Sequence, residues 1–243
     1  GDTHLSVGGD AAVVYSSSVQ GVVGGTLGDL NNAVSFNGNT YLTLKENCSI
    51  TANVFGGSRN KNVTTKGNTD VRISGNAYVY FSLYGGSYAN GLNGSTYIRF
   101  DGGDVNGNVF GGSYSGTVTG NTQIEINGGK LCFYRVNGMN SMSDPAGTKN
   151  VYGGGGDGGS TVAGTATVVM RGGMVYGDLC GGGLGSKATV TGATSVTLYG
   201  GTVFGKLTDA DTLAIDLSAG GTAQVGVSSA LTSLCGGGKL TLA

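Results

Sequence analysis

Few side chains in this chain could do chemistry. Asp101, Asp104 and Glu125 are the carboxylates that an internal repeat brings nearest to arginines, Arg72 and Arg99. Two carboxylates flanking a sugar can act as acid and base in glycoside hydrolysis. The competing account is that Arg72, Arg99 and Glu125 share one outward column on neighbouring strands, a charged surface ladder worth little in stability. A second group is aromatic. Phe55, Tyr84, Phe110 and Tyr152 each stand directly before a glycine pair. They either stack to cover glycine-rich corners or form an outward strip on which a sugar or a neighbouring protein could pack. Phe133, Tyr134 and Arg135 open an inserted stretch, Leu131 to Asn150, and form the third candidate group.

Metal and cofactor chemistry finds no footing, so none is expected. His4 is the single histidine and the four cysteines are far apart, which does not suit zinc. Gly153 to Gly158 gives one near match to a calcium nonapeptide that must recur in tandem. Gly181 to Lys187 lacks the spacing of a phosphate loop.

Composition narrows the class. Glycine accounts for 51 of 243 residues and proline for one, which excludes a collagen repeat. Charged residues are 11%, too few for a chain kept disordered by charge. A net charge of -1 argues against a nucleic-acid partner. No apolar run approaches the roughly 18 residues of a membrane span, so no membrane insertion is expected.

What positions the candidate residues is a repeat. Thr96 to Ser113 reads TYIRFDGGDVNGNVFGGS, and Thr122 restarts the cycle as TQIEINGG. The unit is T-x-Φ-x-Φ-x-G-G-x-Φ-x-G-x-Φ-aromatic-G-G-S, where Φ is apolar, followed by a polar return. About eight copies can be traced, from Thr3 to a last one near Thr212 that ends Leu234-Cys235-Gly236-Gly237. A period of this size signals a solenoid or array. Strict alternation marks half-buried strands, and no stretch has helical periodicity. Two or three strands in a unit of about 27 residues suit an all-β, parallel β-helix coil better than a propeller blade. The chain then forms one domain, 1–243, with the insertion at about 131–150.

In such a stack Leu42, Val71, Ile98, Ile124, Val168 and Val196 form one inward column. Leu44, Ile73, Phe100, Ile126, Met170 and Leu198 form the next. The leading threonines point inward as well. Glycine pairs at two phases of the unit supply corners with φ > 0. Cys180 and Cys235 fall in one column two coils apart. At ~4.8 Å per coil that is about 10 Å, beyond disulfide reach, so free thiols at least partly buried are expected.

The pattern G-x-V-F/Y-G-G-S followed by G-T-V-T-G-N-T-x-I-x-I-N-G-G, seen in Asn108 to Gly129 and echoed in Val175 to Gly201, resembles the glycine-rich β-helical repeat regions of large bacterial cell-surface proteins. The resemblance covers roughly residues 33 to 207. It implies a pectate-lyase-like, right-handed, single-stranded β-helix, an extracellular place on the cell surface and an adhesin-like role, with no catalytic residue to carry over. A glycan or host-surface ligand is the expected partner. Repeat-like sequence near both ends suggests a segment of a longer surface protein, a monomer or a unit that associates end to end. The alternatives are a polysaccharide lyase or glycoside hydrolase using Asp101, Asp104 and Glu125, and a fibre-forming structural protein.

Overall fold

The computed structural model describes residues 1–14, 21–27, 32–133, 149–226 and 231–242. Every regular element among them is a β-strand, and every pairing between these strands is parallel. The expected all-β, parallel architecture is what is observed.

The T-x-Φ-x-Φ segments form the first ladder. Thr3–Val7, Thr40–Leu44, Thr69–Ile73, Thr96–Val105, Thr122–Leu131, Ala166–Met170, Thr194–Leu198, Thr212–Asp216 and Ser233–Cys235 lie side by side in chain order. Register is set by the alternation. Thr40 pairs with Thr69, Thr69 with Thr96, and Thr96 with Thr122, so like residues stack. Both expected inward columns are fully buried, from Leu42 to Val196 and from Leu44 to Leu198. They make one continuous core in which each buried Val, Leu or Ile contributes about 1.5–3 kcal/mol. A slip of one residue would turn every such side chain to solvent.

After the first ladder the chain turns at a glycine with positive φ, such as Gly75, Gly103, Gly129, Gly173 or Gly201. It then enters a second ladder that includes Ser49–Thr51, Tyr78–Val79, the ends of Thr96–Val105 and Thr122–Leu131, Met174–Val175 and Gly201–Val203. A third ladder stacks Gly21–Val23, Asn53–Phe55, Leu83–Tyr84, Val109–Phe110, Val151–Tyr152, Leu179–Cys180 and Leu207–Thr208. The polar returns form a fourth. It runs from Val34–Asn37 and Val63–Lys66 through bridges at Asn93 and Leu92 to Gly116–Val118, Ser160–Val162 and Thr189–Val190.

The glycine pairs of the third ladder correct one expectation. They do not adopt positive φ, whereas Gly103, Gly129, Gly173 and Gly201 of the first-phase corners do. Close approach explains them instead. A Cβ on Gly56, Gly85 or Gly111 would collide with the carbonyl oxygen of the glycine stacked on it, Gly85, Gly111 or Gly153. The same carbonyls are claimed from inside. The Oγ1 of Thr40, Thr69, Thr96 and Thr122 donates at 2.6 Å to the oxygens of Gly56, Gly85, Gly111 and Gly153. These threonines are buried, as the sequence suggests, because each has a buried acceptor waiting.

Polar residues at the corners knit one repeat to the next. Asn39 Oδ1 accepts from the Asn68 amide, Asn68 Oδ1 from Ser95, and Ser95 Oγ from Asn121, across 29, 27 and 26 residues. Asn108 and Asn150 play the same part before the third ladder.

Cys235 is a second correction. It pairs with Asp216 in the first ladder and not with the column of Cys180. The repeat after Thr194 is short: Ser195 already pairs with Thr212. Reading the last glycine pair as a third-ladder corner therefore placed it in the wrong ladder; it follows a first-ladder strand. All four thiols are free; Cys48, Cys132 and Cys180 are buried and Cys235 is exposed.

Candidate functional site

The carboxylates expected to act together do not sit on one face. Asp101 and Glu125 lie at the outward side of the first ladder. Asp104 lies beyond the Gly103 corner, whose φ of 75° turns the chain, in the second ladder. Asp101 is held by Arg99 at 2.8 Å and by Asn127 at 2.9 Å. The Arg99 hydrogen bond is the main reason its carboxyl stays below the usual carboxylate range. Glu125 accepts from the Tyr97 hydroxyl at 2.5 Å and pairs with Arg171 at 3.6 Å. Arg171 also lies over the Tyr199 ring, 4.3 Å from its centroid. Arg72, Arg99 and Glu125 do share one column. Yet Arg72 pairs with Asp70 and Arg99 with Asp101, each two residues along its own strand. The first-ladder face neutralises its own charges.

The aromatic column is also placed differently from a binding strip. Phe55, Tyr84, Phe110 and Tyr152 are 1%, 8%, 2% and 6% exposed. They point away from the main core, as alternation indicates, into a second cluster of their own. Their rings stack at 5.0, 4.7 and 5.2 Å along the column. The segments that follow each glycine pair fold over them. Tyr88 sets its edge on Phe55 at 5.6 Å, and Tyr114 sets its edge on Tyr84 at 6.0 Å. Tyr88 and Tyr114 stack on each other at 5.0 Å. The column is a roofed stack, and a sugar has no access to it. Burial holds the Tyr84 and Tyr152 hydroxyls and the Cys180 thiol above their ordinary ranges.

Of the insertion group, Phe133 is buried between Tyr78 and Tyr176, with centroids at 6.4 and 6.0 Å. Tyr134 and Arg135 lie outside the described residues.

The structure assembles a different set, on the outward side of the second ladder. Tyr78, Asp104, Lys130, Met174 and Thr202 stack in register. Two residues further along the chain stand Tyr80, Asn106, Tyr176 and Phe204. Tyr80, Phe81, Met174 and Phe204 are 42%, 42%, 40% and 45% exposed. Tyr176 stacks on Phe204 at 4.9 Å, and Tyr80 meets Phe81 edge-on at 5.0 Å. The positive-φ glycines leave a groove of about 590 Å³ beside this column, lined by Gly75, Gly103, Gly129, Tyr78, Asp104 and Lys130 among others. A second hollow of about 430 Å³ lies by Tyr80, Phe81, Asn106 and Lys149.

Comparisons with protein-family models, with known proteins and with solved structures give no match. The site must be read from its own chemistry.

That chemistry differs from the first-ladder face. Asp104 and Lys130 are cross-strand neighbours of opposite charge, both half-buried. Among the described residues neither side chain has an ion pair or hydrogen bond. Burial, and after it the Asp104 carboxylate, raises the Tyr176 hydroxyl above the usual tyrosine range. The Lys149 ammonium donates to Asn106 Oδ1 at 2.9 Å beside the second hollow. No group of three His, Cys, Asp or Glu converges among the described residues. The arrangement offers exposed rings, free charges and a groove that runs across several repeats. The signal for it was in the sequence as the triplets Tyr78-Val79-Tyr80, Met174-Val175-Tyr176 and Thr202-Val203-Phe204, each a buried valine flanked by outward residues.

Proposed function

We propose that the chain is a right-handed, single-stranded parallel β-helix of the pectate-lyase-like kind, an extracellular adhesin-like or stalk module of a bacterial surface protein that binds glycans along its lateral face. Support for the winding is that successive repeats as far as Thr189–Val190 visit the four ladders in the same order, and that all pairing among the described strands is parallel. The nine strands of the first ladder bound eight intervals, hence a solenoid of about eight turns. Right-handed crossover is the rule for parallel strands. The cell-surface role rests on the resemblance of the repeat.

The observation that carries the binding function is the second-ladder face. Exposed Tyr80, Phe81 and Phe204 and half-buried Tyr176 share this face with Asp104 and Lys130, which line the groove and pair with no group among the described residues. Aromatic faces supply apolar area for the faces of sugar rings, and polar groups at their edge fix hydroxyl orientation. Repetition along the ladder makes each contact modest and the sum multivalent.

The test is a glycan array probed with the wild-type chain and with a Tyr176→Ala, Phe204→Ala double variant. Expected is a set of bound glycans whose signal the double variant loses. No bound glycan, or unchanged binding by a folded double variant, overturns the reading.

A further inference from the structure

We propose that the groove beside Asp104 and Lys130 takes a zwitterionic group, an ammonium joined to a phosphate by a short tether, as carried by phosphocholine or phosphoethanolamine. The proposal rests on the glycan-binding reading in one respect only: it names the substituent that a bound glycan would present.

Three observations lead there. First, the charges of the first-ladder face close on one another at 2.8 to 3.6 Å: Asp70 with Arg72, Asp101 with Arg99, and Glu125 with Arg171. Asp104 and Lys130 stand in direct register and yet do not pair. Parallel neighbours sit about 4.8 Å apart. Asp104 and Lys130 thus stand one strand spacing apart at the backbone, both line the groove, and their charged ends do not reach ion-pair distance of each other. A single ligand that carries both signs can meet both at once.

Second, the negative contact has aromatic company. Asp104 lies between Tyr78 and Lys130 in the ladder. Tyr78 lines the groove together with Asp104. Carboxylate beside aromatic faces is the chemistry that receives an alkylated ammonium, through charge and through the ring quadrupole. Met174 adds a polarisable wall.

Third, the positive contact is a half-buried lysine that lines the groove. Lysine acts as a compact point charge toward phosphate. Gly102, Gly103 and Gly129 line the groove next to the two charges in sequence and carry no side chain to crowd a tetrahedral phosphate. A two-carbon tether between ammonium and phosphate spans about one strand spacing.

The experiment is calorimetric titration of the whole chain with phosphocholine, choline and inorganic phosphate. The proteins are wild type, Asp104→Asn and Lys130→Met. Both positions are half-exposed, and a thermal melt checks that each variant is folded. Expected is phosphocholine binding that each substitution weakens by about tenfold or more. Choline alone should be sensitive chiefly to Asp104→Asn, and phosphate alone chiefly to Lys130→Met. Phosphatidylcholine vesicles and a phosphocholine-bearing glycan, as two further arms, distinguish a lipid headgroup from a glycan source. No phosphocholine binding at millimolar concentration, or equal affinity in wild type and both folded variants, overturns the proposal. Array glycans that bind wild type and both variants alike would sink this proposal and leave the glycan reading standing. Phosphocholine binding with an empty array would do the reverse.

Discussion

The Thr96 hydroxyl donates to the Gly111 carbonyl at 2.6 Å inside the molecule, and the same bond recurs from Thr40, Thr69 and Thr122 to Gly56, Gly85 and Gly153. It joins the first ladder to the third within one repeat. Thr96→Val keeps the shape and leaves a buried carbonyl short of a partner. A loss of about 1–2 kcal/mol in denaturant melts is expected, and Thr96→Ser should recover most of it. Ala166 occupies the equivalent place one repeat beyond Thr122, so the bond is not needed in every repeat. If Thr96→Val proves as stable as wild type, the bond contributes nothing net.

A stacked glycine and a return-segment glycine respond to substitution for different reasons. Gly111→Ala drives a Cβ into the Gly153 carbonyl, with Thr122 Cβ also 3.1 Å away. Backbone cannot yield there without parting two repeats, so a loss of about 3 kcal/mol or more is expected. Gly159 has φ of 88° and open space around it. Gly159→Asn should cost less than about 1 kcal/mol, since asparagine tolerates the left-handed region. Equal melts for the two variants would contradict the packing account.

The buried columns could be read from the sequence because alternation has a period of two and the threonine marks its phase. Leu42 through Val196 is a direct consequence. Exposure of Phe55, Tyr84, Phe110 and Tyr152 was not legible in the same way. Alternation says which side of a strand a residue takes. It does not say that Tyr88 and Tyr114, further along the chain, fold back over that side. The separation of Asp104 from Asp101 has a similar cause. Three residues apart in sequence, they are parted by the Gly103 corner, and the outcome depends on a backbone angle. Cys235 was misplaced because a repeat near the C-terminal side is shorter than its neighbours, so counting positions from Thr212 goes out of phase.

Thiol labelling separates the cysteines by burial. Cys235 is exposed, and Cys48, Cys132 and Cys180 are buried. Desolvation also raises the Cys48 and Cys180 thiols, which lowers their thiolate fraction. One equivalent of an aromatic disulfide reagent should react with the native chain at pH 8, and four after unfolding. Cys235→Ser should abolish the native reaction. Fast labelling of two or more sites in the native state would show that the core opens.

Stability should fall in alkali, and the roofed aromatic stack gives the sign. Burial raises the Tyr84 hydroxyl above the ordinary tyrosine value of about 10. Below that pH both folded and unfolded chains keep the proton and the contribution is complete. Above it the unfolded chain releases the proton while the folded chain retains it, so unfolding gains and stability declines with pH. Tyr152 is raised by burial too and adds to the slope. Tyr84→Phe keeps the ring stacked between Phe55 and Phe110 and removes the titrating group. Its denaturant midpoint should therefore fall less steeply than that of wild type between about pH 10 and 11. Parallel profiles for the two proteins would mean that Tyr84 ionises freely in the folded state, which requires the roof of Tyr88 and Tyr114 to be open.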